Sequence, residues 1–150
     1  MRTLLLVAGL LAVSSAPPAH QKDMELFRYL LDHRSEIRRS VERLADGVET
    51  LTESDDPEVA EKIRAHVASM YERLEDGRPI HRRDPLFAEI FRNADAIAMK
   101  MEKTEKGIRV RETSSDPYVV KLIQAHADVV SRFLENGYSE MHKNHAVPER

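Results

Sequence analysis

Apolar residues recur at helical spacing over long stretches of the chain, separated by short stretches in which apolar and polar residues alternate. Between 23 and 46 they fall every three or four residues, which predicts one amphipathic helix; its apolar stripe contains Phe27, Leu30, Ile37, Val41 and Leu44. Residues 48–53 alternate and include β-branched side chains, which predicts a strand. A second helix is predicted from Pro57, where proline fits the first helical position, to Gly77.

The same pattern returns sixty residues later. Aligned without a gap, 26–77 and 86–137 share fifteen identical residues in 52 positions. A fixed offset that holds across helices and strands alike indicates an internal duplication. The second copy is therefore predicted to contain a helix over 84–101, a strand over 108–113 and a last helix over 117–137.

These elements predict an α+β domain over 22–145, made of two tandem helix–strand–helix repeats related by a pseudo-twofold axis. A single strand cannot satisfy its own backbone N–H and C=O groups, so the two equivalent strands are expected to pair antiparallel across the axis. Four helices would then pack on a two-stranded antiparallel ribbon formed by 48–53 and 108–113, and 146–150 would form a tail.

The N-terminal residues 1–19 have the pattern of a signal peptide. A positively charged start is followed by an apolar run of about ten residues and then by small residues. The run is shorter than the roughly 20 residues that a membrane span needs. We therefore expect an exported protein, periplasmic or secreted, without a membrane span.

Composition narrows the classes of function. The net charge of -3 and the absence of a basic patch argue against nucleic acid and acidic membranes as partners. The chain has no cysteine, which excludes disulfides, thiolate metal sites and haem attached through cysteine. No phosphate loop, metalloprotease motif or nucleophile elbow is present, so no catalytic residue is assigned. The recurring polar residues are interpreted as helix caps: Ser54, Asp55, Asp56, Ser114 and Asp116.

Three histidines are predicted to face the interior. His66 and His126 occupy equivalent positions three residues after an isoleucine of the apolar stripe, and His33 lies on the stripe of the first helix, with Asn93 at its equivalent position. A buried imidazole needs a hydrogen-bond partner or a ligand, because an unmade bond costs about 1–3 kcal/mol. Neutral imidazole is the commonest metal ligand, and the thioethers of Met70 and Met101 would favour copper(I).

Several interpretations of these histidines stay open. His33, His66 and His126 could form one copper site near the axis, with Met70 or Met101, or His66 and His126 could be the two axial ligands of a haem. They could equally be structural histidines in a module that binds another exported protein and no cofactor. A secondary metal site is possible at His142 and His145, which would share one face of an exposed helix.

The chain beyond the predicted signal peptide resembles, over nearly all of its length, a family of small exported bacterial proteins. The resemblance lies in Gly47-Val48, in the run Ser-Asp-Asp-Pro-Glu-Val-Ala from Ser54, and in Ile-Arg-Ala-His ending at His66. The second copy departs from this pattern: it has Ser115 for Asp, Tyr118 for Glu and Gln124 for Arg. The resemblance implies export and a shared fold, and it implies no reaction.

Overall fold

The fold is seen in a computed structural model that describes residues 18–150. The first repeat contains helix α1 (Ala19–Asp32), strands β1 (Ile37–Leu44) and β2 (Gly47–Ser54), and helix α2 (Pro57–Glu75). The second contains α3 (Pro85–Arg92), β3 (Ala98–Lys103), β4 (Gly107–Thr113) and α4 (Pro117–Asn136), and a short helix α5 (Tyr138–Met141) follows. The predicted signal peptide falls almost entirely on residues 1–17, which lie outside the described residues.

The strands form one antiparallel sheet in the order β1-β2-β4-β3. Its two central strands are the equivalent strands of the two repeats, so the predicted antiparallel pairing of 48–53 with 108–113 is present. Thr50 and Val110, which are equivalent by the sixty-residue offset, are direct register partners. The pseudo-twofold axis therefore passes between these two residues.

The class α+β is confirmed, but the two-stranded ribbon covered by four helices was wrong. Each repeat is helix–hairpin–helix, so the sheet has four strands, and the described chain has five α-helices. The predicted first helix stops at Asp32, and the rest of its apolar stripe belongs to β1. A spacing of four residues, as between Ile37 and Val41, fits one face of a helix and equally one face of a strand.

The helices cover one face of the sheet. On β2 and β4 the buried side chains alternate, with Val48, Thr50, Ile108 and Val110 at 7% exposure or less. Each repeat's second helix packs on the other repeat's central strand: Val59 and Ile63 of α2 join the cluster of Ile108 and Val110, whereas Val119 and Ile123 of α4 pack on Val48. The two repeats thus share their core.

Two polar residues at equivalent positions add hydrogen bonds between the two repeats. Arg64 of α2 donates hydrogen bonds to the carbonyl oxygens of Thr104, Glu105 and Gly107 in the second hairpin. Gln124, at the equivalent position of α4, donates to the carbonyl oxygens of Leu44 and Gly47 in the first hairpin. Arginine in the first copy and glutamine in the second therefore make the same kind of contact, a hydrogen bond to backbone carbonyl groups of the opposite hairpin.

Asp56 and Asp116 cap helices α2 and α4 as predicted, whereas Ser54, Ser114 and Asp55 do not cap them directly. The Asp56 and Asp116 carboxylates accept from backbone N–H groups of the first turns of α2 and α4, and the Ser54 and Ser114 hydroxyls accept from the N–H of those aspartates. Asp55 is not a cap, because its carboxylate pairs with Arg38 and Lys106 on the surface.

None of the helices in the described residues is both long and apolar enough to cross a membrane.

The central strands approach so closely that glycine is required at Gly47. A Cβ added there would lie 1.9 Å from the carbonyl oxygen of Glu112. We predict that Gly47→Ala lowers the free energy of unfolding by about 2–3 kcal/mol, the cost typical of overpacking, as measured by urea denaturation. Gly77→Ala is the control, because a Cβ there meets nothing within 4 Å although φ is +60°, and about 1 kcal/mol of backbone strain is expected. Equal losses in the two variants would contradict the close approach.

Candidate functional site

A cavity of about 240 Å³ lies between the sheet and the helices. It exceeds the roughly 150 Å³ of an engineered cavity that binds benzene, and it is slightly below the roughly 300–1,000 Å³ usual for drug-sized ligands. Most of its lining is apolar, and many lining residues occur as pairs that the duplication relates: Phe27 with Phe87, Leu30 with Ile90, Arg39 with Met99, Thr50 with Val110, Thr52 with Glu112, His66 with His126, Met70 with Val130 and Leu74 with Leu134. The cavity therefore lies across the pseudo-twofold axis.

His66 of α2 and His126 of α4 both line this cavity, so their predicted inward orientation is correct. Each ring packs against a phenylalanine of its own repeat. The His66 ring is stacked on Phe27 with ring centroids 5.9 Å apart, and the His126 ring meets Phe87 edge-on at 5.2 Å. Two aromatic walls thus hold the two imidazoles in place.

Both imidazoles are uncharged at neutral pH. Burial lowers the pKa of His66 and that of His126 to about 4, and the nearby Arg39 charge acts in the same direction on His126. The Nδ1 atom of His66 is buried and finds no hydrogen-bond partner within residues 18–150. A polar atom in that state is available to a molecule in the cavity.

The sheet contributes a polar floor to the cavity, consisting of Arg39 on β1, Thr50 and Thr52 on β2, and Glu112 on β4. One guanidinium nitrogen of Arg39, Nη1, donates to the Thr52 hydroxyl at 2.9 Å. The Nε of Arg39 is buried without a partner in the described part of the chain. None of the ion pairs found there includes Arg39 or Glu112.

Burial acts on both charged groups of the floor. It lowers the pKa of Arg39 to about 10, which still leaves the guanidinium charged at neutral pH. It raises the pKa of the Glu112 carboxyl to about 7, although the Arg39 charge opposes that rise. The floor therefore holds a cation that stays charged at neutral pH and an acid that is only partly ionised there.

Methionines form part of the apolar lining. Met24, Met70, Met99 and Met141 line the cavity, which places Met70 near His66 as predicted. Met101 does not reach it, because it lies on edge strand β3 and is 37% exposed.

His33 also lies outside the cavity, which corrects its predicted inward orientation. Helix α1 ends at Asp32, and His33 is the residue that closes the helix, half-exposed, with Nδ1 2.8 Å from a carboxylate oxygen of Glu36. Its ring stacks on Tyr29 at 4.2 Å. The equivalent Asn93 closes α3 in the same way, its side-chain amide donating to the carbonyl oxygen of Glu89 at 2.8 Å.

The helical face expected to unite His142 and His145 is not formed. Helix α5 ends at Met141, His142 is exposed, and His145 turns into the interior. Its Nδ1 lies 2.5 Å from an oxygen of Asp84, the cap of α3, and its Nε2 lies 2.9 Å from an oxygen of Glu140. Since both ring nitrogens already have carboxylate partners, this contact fastens the C-terminal segment beside the cavity.

Several polar residues of the cavity received no role from the sequence, among them Arg39, Glu112, His81 and Asp23. Arg39 and Glu112 break the pseudo-symmetry, because their equivalents are Met99 and Thr52. Most equivalent positions of the two repeats differ, so this mismatch did not stand out in the sequence. No pattern indicated that the His81 ring would pack edge-on against Phe87 at 4.9 Å.

The buried histidines should make the protein sensitive to acid. In the unfolded chain they take up protons near pH 6.5, whereas in the folded chain they do so near 4. The unfolded state therefore binds more protons between these values, and the free energy of unfolding should fall as the pH drops from 6.5 to 4, by roughly 3 kcal/mol per histidine. Glu112 opposes this, because its raised pKa contributes stability that is present below about 4.5 and lost as the pH rises through about 7.

Urea denaturation between pH 8 and pH 4 would measure this balance. We expect His66→Gln and His126→Gln to flatten the acid side of the profile, and Glu112→Gln to steepen it. Gln21→Ala serves as the control, because that side chain is exposed and its amide does not titrate between pH 8 and pH 4. A profile that neither cavity histidine affects would contradict the low pKa values.

Within residues 18–150, no group of three or more His, Asp or Glu side chains is arranged to hold a metal ion. Comparison of the chain with protein-family models, with curated proteins and with solved structures gave no match. Any ligand of the cavity must therefore be inferred from the size, lining and charges of the cavity.

Proposed function

We propose that this chain is an exported, non-enzymatic binding protein that holds one small, largely apolar molecule in the cavity on its pseudo-twofold axis. One observation supports this above the others: residues lining the apolar cavity carry buried polar atoms that find no hydrogen-bond partner within residues 18–150, namely His66 Nδ1, Arg39 Nε and His81 Nε2. Ligand sites typically combine an apolar lining with a few such convergent polar groups.

The size of the cavity limits the ligand. A volume of about 240 Å³ suits a molecule of about ten non-hydrogen atoms, between benzene and a drug-sized compound. The same volume disfavours haem, whose macrocycle is much larger.

The proposal that the protein is exported is based on the signal-peptide pattern of residues 1–19.

The alternative of a protein-interaction module receives less support. Such a module would display an exposed apolar patch. In the described part of the chain, the large apolar side chains that are exposed are Met101, Tyr138 and Val147, which lie on three separate segments. His66 and His126, two of the three histidines considered for such a module, line the cavity.

Small neutral amphiphiles should stabilise the protein. We expect hexan-1-ol or benzyl alcohol to raise the Tm in a concentration-dependent manner, because a ligand that binds only the folded state shifts the unfolding equilibrium. Val67→Phe, which places a phenyl ring in the cavity lining, should abolish the shift. Val147→Phe makes the same change at an exposed position and should retain it. Equal shifts in the two variants would show that the probes bind elsewhere.

Copper(I) is a second candidate ligand. The observation in its favour is that four methionine thioethers and two uncharged imidazoles line one cavity, and copper(I) prefers such soft ligands. His66, His126 and Met70 would be the ligands. The Arg39 cation on the floor acts against a bound metal cation, which is why an organic molecule is preferred.

Competition with a chromophoric copper(I) chelator would test the metal. If copper(I) binds in the cavity, His66→Ala, His126→Ala and Met70→Leu should each weaken it at least tenfold, whereas His33→Ala and Met101→Leu should not. Binding should persist to about pH 4, because the imidazoles stay unprotonated to that point. No competition by the parent protein would exclude this candidate.

A further inference from the structure

Arg39 is a partly buried cation on the cavity floor, and none of the ion pairs found in residues 18–150 includes it. Its Nη1 donates to the Thr52 hydroxyl, which is a neutral acceptor, and its Nε is buried with no partner found in residues 18–150. A guanidinium presents five N–H donors in a planar fork, and burying a charge is unfavourable unless it is paired. The Glu112 charge raises the pKa of Arg39 from across β2, but none of the ion pairs in residues 18–150 joins the two side chains.

Glu112 does not serve as an anion partner for Arg39. The two side chains are separated by β2, since Arg39 on β1 is a register partner of Thr52 and Glu112 on β4 is a register partner of Val48. No direct Arg39–Glu112 ion pair is found in the described chain. Both side chains line the cavity.

Resting on the proposed function, we propose that the ligand is a small carboxylic acid, bound as its carboxylate by the guanidinium of Arg39. A carboxylate can accept two parallel hydrogen bonds from the fork of an arginine, which is the geometry that favours arginine over lysine at such sites. The Thr52 hydroxyl lies beside the same group and orients the fork. The apolar body of the acid would extend between the phenylalanines and methionines of the lining.

The second repeat shows what this position looks like without the cation. Met99, the equivalent of Arg39, also lines the cavity and is the register partner of Glu112. Methionine is compatible with this place on the sheet. We therefore expect that Arg39→Met, which places methionine at both equivalent positions, is tolerated. The exchange removes the proposed anion partner while keeping a side chain of similar length.

Isothermal titration with matched probes would test the inference: hexanoate against hexan-1-ol, and benzoate against benzyl alcohol, at pH 7.5. The parent protein should bind each carboxylate at least tenfold more tightly than its alcohol. Arg39→Met should lose that preference while binding the alcohols as the parent does, which also shows that the variant is folded. Glu112→Gln, which removes a competing acid from the floor, should strengthen carboxylate binding.

The outcomes separate the two proposals. Alcohols that bind as tightly as carboxylates, with Arg39→Met unchanged, would overturn the carboxylate inference and leave the binding function standing. Binding of neither probe class would overturn both. If Arg39→Met does not fold, Arg39→Gln tests the same loss of charge with a polar side chain, and an unchanged carboxylate preference in that variant would overturn the inference.

Discussion

The pairing of β2 with β4 on the pseudo-twofold axis is the interaction on which the rest of the structure depends. Because Thr50 lies opposite Val110, every other pair of equivalent residues is placed symmetrically about that point. The second helix of each repeat then packs on the central strand of the other, and Arg64 and Gln124 reach across to the opposite hairpins. Two of the buried clusters thus join side chains of both repeats, so we expect the two repeats to fold together.

The same symmetry explains where the cavity lies. Side chains close to the axis come in pairs that face one another, and Phe27, Phe87 and Phe133 keep their helices apart with ring centroids 5.3 to 6.3 Å from one another where they meet. The His145 contact with Asp84 and Glu140 holds the last segment in place beside the cavity. The space is thus a product of the architecture, and its chemistry is set by the few polar residues that point into it.

The duplication, the central strand pairing and the inward histidines of α2 and α4 could be predicted from the sequence, because each follows from a repeat or from a long amphipathic helix. The hairpins could not, since the apolar positions of β1 satisfy both the helical and the strand period. The error on His33 followed directly: on an extended helix it would face inward, but the real helix ends one residue earlier. Arg39 lies on β1 and does not belong to the apolar stripe predicted for that helix, so its position on the cavity floor could not be foreseen.

The mismatch between Arg39 and Met99, and between Thr52 and Glu112, has a consequence for what kind of molecule can be recognised. Two identical chains around a twofold axis would present every polar group twice, so their shared site would favour a ligand with two like ends. Joining the two copies in one chain frees each position to differ from its counterpart. The cavity thereby gains a direction, with a cation at one edge and a weak acid at the other, and it can distinguish the head of a ligand from its tail.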